Sequence, residues 1–147
     1  MAHLYGGDLG QEVVGESHYI ETLARCFEAG QKDRTGKRSY TQVEIRPESN
    51  NPHDKNAVAI IGQFGKVGHL SRTDAKRYRQ LYGSTDIHTT DAVIITHDGT
   101  LFGVWLDISL DETFVKQLRS TLSQEQPQQS SQAIKPKKGF FARLFNF

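Results

Sequence analysis

His53, Asp54 and Lys55 place a base, an acid and a cation side by side, and His69 follows later in the same stretch. Such a group can hold an anion, ligate a metal or move a proton. Six histidines in all (His3, His18, His53, His69, His88 and His97) invite a metal or acid–base reading. Their spacing does not support one, because no pair stands at the i, i+4 interval of a helical zinc motif and no three stand at tight ligand spacing. The single Cys26 excludes an internal disulfide and any zinc site built on several cysteines. It falls beside the apolar side of a predicted helix, where a thiol serves as a small core residue. The run Gly62-Gln63-Phe64-Gly65-Lys66-Val67 lacks the spacing and the hydroxyl residue of a phosphate-cradling loop. No catalytic residue, metal or cofactor is expected, and the chain reads as a non-enzyme.

The elements that must position these residues follow from the surrounding pattern. Asn51 precedes Pro52 and is pushed away from the helical region. Residues 57–61 form a wholly apolar run, the size of one buried strand. Gly62 and Gly65 bracket a short turn, and residues 67–70 return as the second strand of a hairpin. His53, Asp54 and Lys55 therefore lie on a loop framed by strands, the usual setting of a binding site. An equal alternative is that Asn51, Asp54 and Asn56 simply bond the loop backbone.

Upstream, residues 12–15 read as a short strand ended by Gly15. Ser17 is expected to cap a helix with Ile20, Leu23, Ala24 and Phe27 on one face. Residues 29–39 form a polar, mostly basic loop, and residues 40–46 a strand ended by Pro47. Downstream, Ser71 and Asp74 approximate a capping box for a helix over 72–82 that turns Ala75 and Tyr78 inward. Arg72, Lys76 and Arg79 follow at i, i+4 and i+7 on its outer face, either solvated or in reach of phosphates. Residues 91–97 and 101–108 form a hairpin through Asp98-Gly99, with Trp105 expected in the core. Asp111 is expected to cap a last helix striped by Phe114, Val115, Leu118 and Leu122. The sum is a mainly β fold with added helices, about six short strands rolled into a small barrel.

The 147-residue length suits one domain, expected over residues 11–122 with a flexible start at 1–10. Residues 123–147 read as a Gln/Ser/Pro linker followed by a basic, Phe-rich tail. The net charge of +1 is unevenly spread: removing Lys135, Lys137, Lys138 and Arg143 leaves 14 bases against 17 acids in residues 1–126, a net of −3. Any phosphate ligand must therefore meet a local basic patch. No secretion signal or apolar run of about 18 residues is apparent, which predicts a cytoplasmic protein.

Three segments carry a resemblance: Val13-Val14-Gly15-Glu16-Ser17-His18-Tyr19, Asn51-Pro52-His53-Asp54-Lys55-Asn56-Ala57-Val58, and Val67-Gly68-His69-Leu70. In order and spacing they resemble the HIRAN domain, over roughly residues 11–109, and the second segment is fairly specific. The resemblance implies a modified OB-like β-barrel that binds DNA and, in the studied members, grips the 3′-hydroxyl end of a single strand. By position His18 and Tyr19 would contact terminal nucleotides, His53 would stack on a base, and Asp54 would accept a hydrogen bond from the 3′-hydroxyl. His69 and Arg72 would hold the last phosphates, Lys55 more weakly, with Lys76 and Arg79 as further phosphate contacts. Ser17, His18 and His53 depart from an arginine and two tyrosines of the end-binding members.

Three functions compete. The first is a non-catalytic module for single-stranded or frayed DNA 3′ ends in repair or replication. The second is an adaptor whose Phe140, Phe141, Leu144, Phe145 and Phe147 dock a protein partner or a membrane surface. The third, behind both, is a metal-dependent phosphodiesterase using His53, Asp54 and His69.

Overall fold

The computed structural model describes residues 1–121. Its elements are β1 (His3–Leu4), β2 (Gln11–Glu12), a 3-10 turn (Glu16–His18), α1 (Ile20–Ala29), β3 (Gln31–Lys32) and β4 (Arg38–Pro47). There follow β5 (Val58–Gly62), β6 (Gly65–His69), α2 (Arg72–Tyr82), β7 (His88–Thr96) and β8 (Phe102–Leu106). A third helix, α3, covers residues 112–121.

The fold is a mainly antiparallel curled sheet with strand order β2-β8-β7-β4-β5-β6. Its spine is β4, whose alternating Ser39, Val43 and Ile45 face inward. It pairs β7 from Arg38↔Ile95 to Ile45↔His88 and β5 from Glu44↔Ile61 to Pro47↔Val58. The curl brings the two edges of the sheet together. Just beyond β2, Val13 N donates to Val104 O on β8 at 3.1 Å. The next residue, Val14, bridges to His69 on β6 through N–H···O bonds of 2.8 and 2.9 Å. Gly68 permits that seam: a Cβ there would fall 2.5 Å from Val13 Cγ1 and 2.7 Å from Val14 O.

The core gathers Val13, Leu23, Phe27, Ile45, Val58, Ile60, Val67, Tyr78, Ile94, Val104 and Leu106, with Cys26 among them. Apolar residues at helical spacing lay α1 over one end, where Phe27 meets Phe102 at 5.7 Å between ring centroids. Ser71 caps α2, its hydroxyl accepting from Asp74 N at 3.1 Å. The Asp74 carboxylate does not complete the box, for Gln11 Nε2 donates to it at 2.9 Å and ties β2 to the helix. Asp111 caps α3 by accepting from Thr113 N and Phe114 N.

Three expectations are corrected. Residues 1–10 are held down rather than loose. His3–Leu4 pairs in parallel with β7, and the buried Asp107 Oδ1 accepts from Gly6 N and Gly7 N at 3.1 and 2.6 Å. Ser17 does not cap α1, because Glu16–His18 forms a 3-10 turn and the helix begins after Tyr19 with no side-chain cap. Trp105 is not core: Val104 and Leu106 take the inward positions of β8, and the two-residue period leaves Trp105 half-buried on the outer face. Leu122 and the expected linker and tail lie outside the described residues.

Candidate functional site

The seam of the sheet is also where the chemistry-bearing residues collect. A β-strand normally sends residues 66 and 69 to opposite faces. Here β6 pairs Lys66 with Ile61, Gly68 with Ile60 and His69 with Ala59, so Val67 is an extra residue in the strand. That bulge brings Lys66 and His69 onto one face, and both reach Glu48. The Glu48 carboxylate accepts from His69 Nε2 at 2.9 Å and Asn51 Nδ2 at 3.2 Å through Oε1, and from Lys66 Nζ at 2.5 Å through Oε2. A carboxylate can only accept, so His69 Nε2 carries a proton and the imidazole is fixed in orientation. Burial raises the Glu48 carboxyl, but bonds from Lys66, His69 and Asn51 outweigh it and hold the group below its ordinary value.

Glu48 passes this order to the loop. Asn51 Oδ1 accepts from His53 N at 2.8 Å and Asp54 N at 3.1 Å, and Asp54 Oδ1 accepts from Asn56 N at 2.9 Å. Asn51 and Asp54 do therefore bond loop backbone, as such residues commonly do. Asp54 Oδ2 has no hydrogen-bond partner among the described residues.

From beneath, Arg79 on α2 clamps the same loop. Its Nε donates to Asn56 O at 2.8 Å, its Nη2 to Ala57 O at 2.9 Å and its Nη1 to Ser49 Oγ at 3.3 Å. Arg79 is thus turned off the outer face shared by Arg72 and Lys76. Arg72 is exposed, and Nη2 lies 3.4 Å from His53 O, a long contact that leaves most of the guanidinium uncommitted. Lys55 and Lys76 are exposed and make no ion pair among the described residues.

Tyr19 reaches the site from the other side of the seam. Gly15, at φ +81°, turns the chain out of the Val14 bridge, and the following 3-10 turn delivers Tyr19 to β6. The Tyr19 ring lies 6.4 Å from the His69 ring, and the exposed His18 ring lies 6.3 Å from that of Tyr19. Glu16 anchors the turn by accepting from Val104 N at 3.3 Å, and burial raises its carboxyl above the ordinary value.

The structure therefore gathers Tyr19, His69, Arg72, His53 and Asp54 around Glu48 and Asn51, with His18 and Lys55 at the rim and Lys76 farther along α2. Glu48 and Lys66 were not visible as site residues. A bulge that rephases a strand by one residue leaves no signal in a two-residue hydrophobic pattern. Among the described residues no three His, Cys, Asp or Glu side chains stand together as metal ligands. Among them no helix is long and apolar enough to cross a membrane. Phe140, Phe141, Leu144, Phe145 and Phe147 lie outside the described residues.

Among solved structures the chain is similar to the HIRAN domain of human HLTF, with 20% identity over 76% of this chain and 88% of that one and a TM-score of 0.36. No curated protein matches it. The model of the HIRAN domain matches residues 8–118, most of the sequence, so the chain belongs to the HIRAN domain family.

Proposed function

We propose that this domain is a non-catalytic DNA-binding module that receives the 3′ end of a single strand at the seam, in a repair or replication setting inside the cytoplasm. The observation that carries the reading is the pairing of an acid with an open oxygen, Asp54, and the largely uncommitted Arg72 guanidinium against the rings of Tyr19 and His69. Barrels of this kind bind single strands by stacking bases on rings while cations follow the phosphates. A carboxylate is an unusual neighbour for a polyanion. At a free 3′-hydroxyl it has a donor to accept from, whereas a terminal phosphate brings repulsion and no such donor. His18 and His53 offer imidazole faces at the edges of the pocket, and Lys55 and Lys76 supply charge beyond it.

The test is fluorescence anisotropy with matched single strands ending in a 3′-hydroxyl or a 3′-phosphate. Asp54→Asn keeps an oxygen for Asn56 N and removes the charge, so the preference for the hydroxyl end should collapse while the loop stays folded. Arg72→Ala should weaken both strands by roughly tenfold, the usual scale of a charge-assisted bond. Equal binding of both ends by the unmodified protein would sink the end-recognition reading.

A further inference from the structure

Phe64 has no place in the core. It sits in the two-residue turn between β5 and β6, 37% exposed, where a hairpin turn would ordinarily carry polar residues. Arg25 of α1 lies against it, with the guanidinium carbon 4.4 Å from the ring centroid. Such a contact holds the ring in place while leaving a ring face open. Arg25 engages no carboxylate among the described residues, and the nearby Glu28 is drawn away to Lys32 Nζ at 3.2 Å.

The position of this pair is what gives it meaning. Phe64 stands on the same strand hairpin as His69, about 16 Å along β6 at the usual rise per residue, with Lys66 between them. Val14, which bridges to His69 at the seam, and Ile20, the first residue of α1, are two more large apolar residues open to solvent. Beside the turn the space is open at Gly65, where a Cβ would meet only Thr22 Cγ2, at 3.6 Å. A ring held by a cation thus stands at one end of β6, the strand whose other end carries His69.

We infer that Phe64, steadied by Arg25, is a second stacking platform that takes a nucleobase lying 5′ of the bound end. The inference rests on the reading that the seam binds single-stranded DNA, and it extends the path along β6. Stacking on an exposed ring tolerates any base, because every base presents a π-face. The platform adds affinity and reach without sequence preference.

The experiment compares 3′-hydroxyl strands of about 4 and about 12 nucleotides, lengths that bracket the site sizes of single-strand-binding barrels. The full chain is used, with Phe64→Ala, Phe64→Leu and Phe64→Tyr. The unmodified protein should bind the longer strand more tightly. Phe64→Ala should lose roughly tenfold on the longer strand and nothing on the shorter. Phe64→Tyr should restore binding and Phe64→Leu should not. Unchanged affinity of Phe64→Ala for the longer strand, or full rescue by leucine, would overturn the stacking platform alone. Failure of the unmodified protein to bind either strand would overturn it together with the single-strand reading. A Phe64 effect without any preference for the hydroxyl end would support the platform and remove only end recognition.

Discussion

Arg79 separates two accounts of the same side chain. As the third cation of an i, i+4, i+7 face it would touch phosphate. As folded, it is spent on the Asn56 and Ala57 carbonyls at 2.8 and 2.9 Å and on Ser49 Oγ at 3.3 Å. The magnitude follows from those bonds. Two charge-assisted bonds of good length contribute about 1.5–3 kcal/mol each. Against them stands the rotamer entropy of an ordered arginine, about 2 kcal/mol. Ala57 O is not orphaned when Arg79 is removed, because Glu48 N also donates to it at 2.8 Å, whereas Asn56 O loses its donor. Arg79→Ala should therefore destabilise the domain by about 2–3 kcal/mol, a fall in melting temperature of about 10 °C for a domain of this size. Arg79→Lys should recover part of this, since one ammonium cannot span two carbonyls.

Thermal and urea unfolding of the full chain read the stability, and anisotropy at several salt concentrations reads the charge. A scaffold residue lowers the midpoint and leaves the salt dependence of the folded protein's DNA binding unchanged. A phosphate contact does the reverse, and its loss flattens the log–log salt slope by nearly one. An Arg79→Ala protein that melts within about 1 °C of the parent while its salt slope drops would refute the clamp.

Two further perturbations test the frame. Gly68→Ala forces a Cβ to 2.5 Å from Val13 Cγ1 and 2.7 Å from Val14 O, so it should open the Val14–His69 bridge and cost at least about 2 kcal/mol by overpacking; a neutral urea midpoint would contradict the seam. Burial lowers the His88 imidazole below its ordinary 6.5, and its Nδ1 pairs with Tyr78 Oη at 2.8 Å. The unfolded chain then binds a proton that the folded one resists, so stability is full above about pH 6.5 and falls as pH drops toward the lowered folded value. Melting temperatures taken across that window should show the decline, with a flatter profile in His88→Gln.

How much of this was legible depended on whether local pattern and tertiary contact agreed. The helix over 72–82 was readable to the residue, because the Ser71 cap and the inward Ala75 and Tyr78 point the same way. The hairpin around Gly62 and Gly65 was readable for the same reason. The fixed N-terminus was not, since its anchor is Asp107, a hundred residues away in sequence and polar by type. Trp105 misled because a large aromatic side chain suggests a core position, while only the phase of β8 decides which face it takes. In the loop, Asn51 and Asp54 carry the backbone bonding expected of their types. Neither role excludes the other, because a carboxylate has two oxygens and the fold uses one.

The charges at the seam explain why an acidic domain can serve a polyanion. Glu48 accepts from both the His69 ring N–H and the Lys66 ammonium before any ligand arrives, so Lys66 projects little field into solvent. Arg72, Lys55 and Lys76 are the site cations without such a partner among the described residues. With net −3 over residues 1–126, long-range attraction is weak and counterion release is limited to a few phosphates. On the proposed reading, affinity comes from short-range contacts: rings against bases, and one carboxylate oxygen against one hydroxyl. Such contacts discriminate between ends, whereas a strongly basic groove would hold any stretch of backbone equally well. The Glu48 network fixes the loop that carries Asp54, and on the proposed reading it also damps the charge that would blunt selectivity for the hydroxyl end.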